Sequence, residues 1–109
     1  MKLTIIDQAD TTPADYEAAA LLVANCLTAA ADGDITAYYN LGVAFSTGSH
    51  GVNCDLVEAH KWFNLAAVQG HEEASWCRAD VSEEMTAREI AEAQRRAREW
   101  LNADVRKVA

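Results

Sequence analysis

The sequence predicts an all-α protein, and three observations support that fold class. Alanine, the best helix former, supplies 22 of the 109 residues. Half of the residues are hydrophobic and 24% are charged, which is typical of an ordered globular domain. Apolar residues recur at helical spacing, and no segment alternates long enough to indicate a β-sheet. The length fits a single domain, because two separate cores would each be too small to be stable.

Capping signals divide the chain into five predicted helices. Thr12-Pro13 combines a favourable N-cap with a first-turn proline. Asp55 with Glu58, and Thr86 with Glu89, have the spacing of a capping box. The predicted helices cover residues 12–31, 34–47, 55–69, 72–83 and 86–102.

Three of these helices have an apolar stripe that predicts the core. The stripe residues are Ala37, Leu41, Ala44 and Phe45 on the second helix, Leu56, Ala59, Trp62, Phe63, Ala66 and Ala67 on the third, and Ile90, Ala93, Ala97, Trp100 and Leu101 on the fifth. We also expect Phe45, Trp62, Trp76 and Trp100 to pack in the core.

An internal repeat with a spacing of 37 residues organises the chain. Ala29-Ala30-x-x-Gly33-x-x-x-Ala37 recurs as Ala66-Ala67-x-x-Gly70-x-x-x-Ala74. Paired alanines allow close helix contact, and glycine fits the left-handed position just after a helix. A repeat of this length built from helix pairs indicates an α-solenoid.

Residues 37–74 resemble the Sel-1-like repeat family, relatives of the tetratricopeptide repeats. The matching residues are Ala37, Leu41, Gly42, Phe45, Gly48, Gly51, Val52, Asp55, Ala59, Trp62, Ala66, Ala67, Gly70 and Ala74. The loop 48–51 has one residue more than the common family loop. The resemblance implies a small bacterial member with a short right-handed solenoid of antiparallel helix pairs. We therefore expect an extended segment over 1–11, a repeat domain over 12–102 and a tail over 103–109. Within the repeat domain, one full repeat at about 37–73 is flanked by partial repeats.

Charge and composition narrow the possible partners and compartments. The formal charge of −8 argues against nucleic acid and anionic membranes as partners. No stretch is long and apolar enough for a signal peptide core or a membrane span, so we expect a cytoplasmic protein. Three cysteines without a C-x-x-C pair indicate free thiols rather than a disulfide framework.

No catalytic signature is present, which favours a protein that is not an enzyme and needs no cofactor. The nearest approach to a metal site is the set His50, Cys54 and His60, whose spacing matches no recognised ligand pattern. We expect these to be loop and surface histidines with a buried thiol, and zinc binding is the weaker alternative.

Surface recognition is the remaining function, and we expect a protein–protein interaction module that binds a peptide or helix of a partner in its groove. By resemblance to tetratricopeptide units, the groove residues would lie on the second helix, where Asn40 adds an amide; packing of these residues on a neighbouring helix is the alternative. The candidate binding residues are Thr36, Tyr39, Asn40, Val43, Ser46 and Thr47. A structural, self-assembling homodimer is the second functional hypothesis, because about two and a half repeats leave apolar ends exposed unless the terminal segments cover them.

Overall fold

A computed structural model describes residues 13–48 and 51–108, with side chains over 17–48 and 51–103. This part of the chain is all-helical and contains no strand. The helices are α1 (Pro13–Ala31), α2 (Ile35–Thr47), α3 (Leu56–Val68), α4 (Glu72–Ser82) and α5 (Ala87–Val108). The expected extended segment 1–11, the Thr12 cap and His50 lie outside the described residues.

Four of the five helices begin and end within about one residue of their predicted limits. The fifth is longer than predicted, because it continues from Asn102 to Val108. The segment 103–108 contains neither glycine nor proline to end the helix. The expected tail is therefore helical over these six residues.

The two copies of the motif that recurs after 37 residues form the same turn. Gly33 and Gly70 both have positive φ values, +90° and +100°, which favour glycine. The amide after each glycine donates to a carbonyl five residues earlier: Asp34 N to Ala29 O at 3.0 Å and His71 N to Ala66 O at 3.1 Å. This pattern is a Schellman closure at the ends of α1 and α3.

The same turns also start the helices that follow them. Asp34 and His71 are the N-caps of α2 and α4, and their side chains accept hydrogen bonds from backbone amides of the first turn. The alanine three residues later is buried in each copy, at Ala37 and Ala74. Both copies of the sequence repeat therefore form the same structure, a Schellman turn that ends one helix and an N-cap that begins the next.

Of the two predicted capping boxes, one is complete and one is half formed. The Thr86 hydroxyl accepts from Glu89 N at 3.1 Å, and Glu89 Oε1 accepts from Thr86 N at 2.8 Å. Asp55 accepts from Glu58 N at 3.2 Å, but the Glu58 carboxylate instead contacts Lys61, Trp62 and Arg96. The prediction of a reciprocal pair at Asp55 is therefore wrong, because Glu58 has stronger cationic partners.

Helix α3 is the centre of the fold and packs on α2, α4 and α5, whereas α1 packs mainly on α2. Helix α5 lies mainly along α3 rather than along α4. The most deeply buried large side chains are Trp62, Phe63 and Leu65 of α3 and Leu41 of α2. The predicted stripes on α2 and α3 therefore do form the core.

Aromatic rings join α2, α3 and α5. Tyr38 stacks on Trp62 with ring centroids 5.9 Å apart, and Trp100 meets Trp62 edge-on at 4.9 Å. Trp100 Nε1 donates to Tyr38 Oη at 3.3 Å. This cluster holds α5 against α2 and α3.

Two predicted core residues are on the surface. Trp76 is 68% exposed and Leu101 is 40% exposed. Trp76 belongs to the side of α4 opposite Ala74 and Val81, and these two smaller residues are the ones buried. The prediction of core packing is therefore wrong for Trp76 and Leu101.

Candidate partner-binding groove

An apolar recess lies between α1 and α2, near the predicted site, and has a volume of about 180 Å³. The lining residues are Leu22, Val23, Cys26, Asn40, Leu41, Val43 and Ala44. We call this recess the α1–α2 groove.

The α1–α2 groove combines apolar walls with one polar rim. Leu22 and Val23 from α1 face Val43 from α2, and all three are half-buried. Asn40 is exposed and can both donate and accept a hydrogen bond through its side-chain amide. Burial, followed by the charge of Asp34, raises the pKa of the Cys26 thiol, so this wall stays uncharged at neutral pH. The groove can therefore bind an apolar side chain and hydrogen-bond to a peptide backbone beside it.

Of the six predicted binding residues, Asn40 and Val43 line the α1–α2 groove. Thr36 is exposed in the first turn of α2, where its amide donates to Asp34 Oδ1 at 2.9 Å. The hydroxyls of Ser46 and Thr47 both donate to Val43 O, at 3.1 and 2.8 Å. These two hydroxyls therefore form hydrogen bonds within the last turn of α2.

Tyr39 does not line the α1–α2 groove. Its ring stacks on His71 with centroids 4.5 Å apart and packs against Phe63 at 5.8 Å. Burial raises the pKa of the Tyr39 phenol, and the neighbouring Cys77 and Glu73 raise it further. Tyr39 thus contacts α3 and the start of α4, as the alternative of packing on a neighbouring helix anticipated for this residue.

The α1 side of the groove was missed by the sequence reasoning. Leu22, Val23 and Cys26 belong to a long uncharged stretch that reads as a buried helix. The signal in the sequence is the number of apolar residues in this stretch, which exceeds what one side of a helix can bury. In the structure, Leu21 accordingly remains 61% exposed. An excess of this kind indicates a second contact surface on the helix.

The predicted metal-ligand candidates are only partly described. His60 is buried inside α3 with 3% of its surface exposed, and Cys54 is exposed with its thiol 3.6 Å from Ser46 O. The expectation of a surface histidine at position 60 and a buried thiol at position 54 is therefore wrong. Among the side chains described, over residues 17–48 and 51–103, no three His, Cys, Asp or Glu side chains are grouped as metal ligands. His50 lies outside these ranges.

A second, more open recess of about 390 Å³ lies beside α3 and α5. Its charged groups satisfy one another: Arg95 pairs with Glu92 and Glu99, and Arg96 pairs with Glu92 and Glu58. Hydrogen bonds from Arg95 and Arg96 lower the pKa of Glu92 to about 2. Because these charges are already paired, the recess is a poorer binding site than the α1–α2 groove.

Neither a protein-family model, a curated protein nor a solved structure matches the chain. None of the described helices is both long enough and apolar enough to span a membrane. Function is therefore inferred from the chemistry of the groove and of the helices around it.

Proposed function

We propose that the protein is a non-enzymatic interaction module that holds a peptide or helix of a partner protein in the α1–α2 groove. The observation that carries this proposal is the groove itself, with its apolar walls and the exposed amide of Asn40 at its rim. Apolar anchors beside a few polar groups are the usual composition of a helix-in-groove or peptide site.

The size of the groove favours side chains of a peptide over a small-molecule ligand. Pockets for drug-sized ligands usually enclose roughly 300–1,000 Å³. The α1–α2 groove, at about 180 Å³, has room for one or two side chains of a longer partner. The rest of such a partner would lie along the helices outside the groove.

The proposed architecture is a short right-handed solenoid of antiparallel helix pairs, of the Sel-1-like type in a bacterial cytoplasmic protein. The support comes from the shared Schellman closures at Gly33 and Gly70, which start α2 and α4 in the same way. The packing of α5 on α3 rather than along α4 is a departure from regular pairing in the last unit.

The experiment is a comparison of copurifying proteins by crosslinking and mass spectrometry, using Asn40→Arg as the test variant. Asn40 is exposed, so arginine places a bulky cation at the groove rim without disturbing the core. Gln94→Arg is the matched control, because it adds the same charge at an exposed position in the middle of α5.

The proposal predicts a partner that is retained by the wild type and by Gln94→Arg and is lost from Asn40→Arg. A partner retained equally by all three proteins would show that the groove is not its binding site. Circular dichroism of each variant checks that the helical fold is unchanged.

A second candidate function is structural self-assembly into a homodimer. It is favoured by apolar side chains on the surface, since Leu21 is 61% and Val68 is 70% exposed. Under this alternative, light scattering shows a mass that rises with concentration, and Leu21→Glu or Val68→Glu lowers it. A monomer at every concentration would exclude self-assembly.

A further inference from the structure

The outer side of α4 presents a tryptophan among carboxylates. Trp76 is 68% exposed, the largest exposed side chain of this helix. On the opposite side, Ala74 and Val81 are buried against the core. We call the outer side the Trp76 face; its exposed residues are Glu72, Glu73, Trp76, Ala79, Asp80 and Glu83.

No described helix covers the Trp76 face. Helix α4 packs on α3 and, through a smaller contact, on α2, while α5 lies along α3. The single cation of α4, Arg78, is half-buried and donates to Asn64 Oδ1 on α3 at 2.6 Å. The four carboxylates of the face form no ion pair with a described residue, so the face carries an uncompensated negative charge.

Helix α3 contains a tryptophan with a glutamate four residues before it, and a lysine of the same helix contacts both side chains. On α3, the Lys61 ammonium lies over the Trp62 ring, 4.1 Å from its centroid. Lys61 Nζ is also 3.1 Å from Glu58 Oε1, and Trp62 Nε1 donates to that oxygen at 3.3 Å. A glutamate four residues before a tryptophan thus holds a cation against the indole.

Helix α4 repeats this spacing without its cation. Glu72 precedes Trp76 by four residues, as Glu58 precedes Trp62, but Ser75 stands where Lys61 would correspond. Asp80 adds a second carboxylate one turn beyond the indole, on the same side of the helix. The missing component of the arrangement is one positive charge.

We propose that the Trp76 face binds an arginine- or lysine-rich segment of a partner protein. One cationic side chain of that segment stacks on the Trp76 indole between the carboxylates of Glu72 and Asp80. Arginine suits the position best, because its planar guanidinium can stack on an aromatic ring and bind a carboxylate at the same time.

The charge of the whole chain supports a basic segment as the occupant. The net charge of −8 attracts basic partners and repels further copies of this chain at long range. This surface is on α4, whereas the α1–α2 groove is formed by the first two helices. The two sites can therefore fail independently.

The test titrates the isotope-labelled full chain with a synthetic glycine–serine peptide carrying four arginines, followed through the indole N–H signals in NMR spectra. Trp76→Phe assigns the Trp76 signal by its loss. We expect the arginine peptide to shift this signal and the same peptide with citrulline in place of arginine to leave it unchanged. Trp76→Ala should weaken binding about fivefold, as expected for an exposed cation–π contact.

Two matched double variants distinguish binding at the Trp76 face from attraction by the net charge of the chain. Glu72→Gln with Asp80→Asn removes two charges from the Trp76 face, and Glu17→Gln with Asp32→Asn removes two exposed charges elsewhere. We expect the first pair to weaken binding several-fold more than the second, and high salt to weaken binding to the wild type.

Three results would overturn the proposal. The first is a Trp76 signal that does not respond to the arginine peptide. The second is equal weakening by the two charge pairs, which would mean attraction by net charge alone. The third is a Trp76 signal that moves with protein concentration in the absence of peptide, which would mean that a second copy is the occupant.

Discussion

At the residue scale, Gly42 sets how closely α2 approaches α3. A Cβ atom at this position would lie 2.5 Å from Cδ1 of the Phe63 ring, which is buried in the core. Gly42 is helical and buried, so the need is for space rather than for an unusual backbone angle. The glycine of the repeat-like string is thus explained by contact between two helices.

Gly42→Ala should therefore destabilise the fold by about 1–3 kcal/mol, the usual cost of overpacking a core. In an uncrowded helix the same change stabilises by up to about 1 kcal/mol. Chemical denaturation measures the difference, and adding Phe63→Leu to Gly42→Ala should recover part of the loss. A Gly42→Ala protein more stable than the wild type would contradict the close approach.

His60 is a buried titratable group without a described partner for its Nδ1 atom. Burial lowers the pKa of His60, and the nearby positive charge of Arg78 lowers it further. The folded protein thus binds this proton less readily than the unfolded chain, whose histidine pKa is about 6.5. Stability is therefore full above that value and falls as the pH drops through it towards the lowered pKa of the folded state.

His60→Leu should flatten the stability profile between about pH 7.5 and 5.5, since leucine has no proton to bind. The comparison is best made in a His71→Asn background, which keeps an N-cap acceptor on α4 and removes the other described histidine. Denaturation midpoints across this range supply the measurement. An unchanged slope in His60→Leu would show that His60 does not control the acid response.

At the element scale, Glu58 joins α3 to α5. Its carboxylate accepts from Arg96 Nη1 at 2.7 Å and contacts Lys61 and Trp62 on its own helix. Burial alone would raise the pKa of Glu58, but hydrogen bonds and charges from Arg96 and Lys61 outweigh burial and lower it. This carboxylate therefore stabilises the fold above the unfolded pKa, and the contribution is lost as the pH falls through its lowered folded pKa.

Glu58→Gln should cost about 1 kcal/mol at neutral pH, a charged hydrogen bond discounted for the partial exposure of Arg96. Glu99→Gln is the control, because Glu99 pairs with Arg95 on the exposed side of α5 and should cost less than about 0.5 kcal/mol. Equal losses in thermal or chemical unfolding would contradict a special role for the link between α3 and α5.

The helices themselves were predictable because their signals are local. The Gly33 turn and the Thr86–Glu89 box each act within a few residues, and both form as the sequence indicates. The packing of α5 was not predictable, since it depends on Arg96 meeting Glu58 across 38 residues. Trp76 was misassigned because helical spacing alone does not say which of two apolar sides faces the core.

The lining of the α1–α2 groove was predictable in part, and its role in binding remains a prediction. Asn40 and Val43 are among the six binding residues expected on α2, and both line the groove. The other wall comes from Leu22 and Cys26, whose role depends on the distance between α1 and α2. The pattern of apolar residues within one helix does not predict the distance between two helices.

At the scale of the whole molecule, the helices leave two surfaces of different character. The α1–α2 groove is apolar with an amide rim, and the Trp76 face is acidic with one exposed indole. They lie on different helices, so a variant at one need not affect the other. Under the two proposals, the groove would hold one segment by apolar contact and the Trp76 face would hold a basic segment by charge.

The central claim is that a partner segment occupies the α1–α2 groove, and site-specific photocrosslinking from position 40 tests it most directly. A photoreactive amino acid replaces Asn40, with the same replacement of Gln94 on α5 as the control. The prediction is a crosslink from position 40, and not from position 94, to one segment of one partner protein. Crosslinks from position 40 that reach only this chain, or a partner captured equally from both positions, would contradict it.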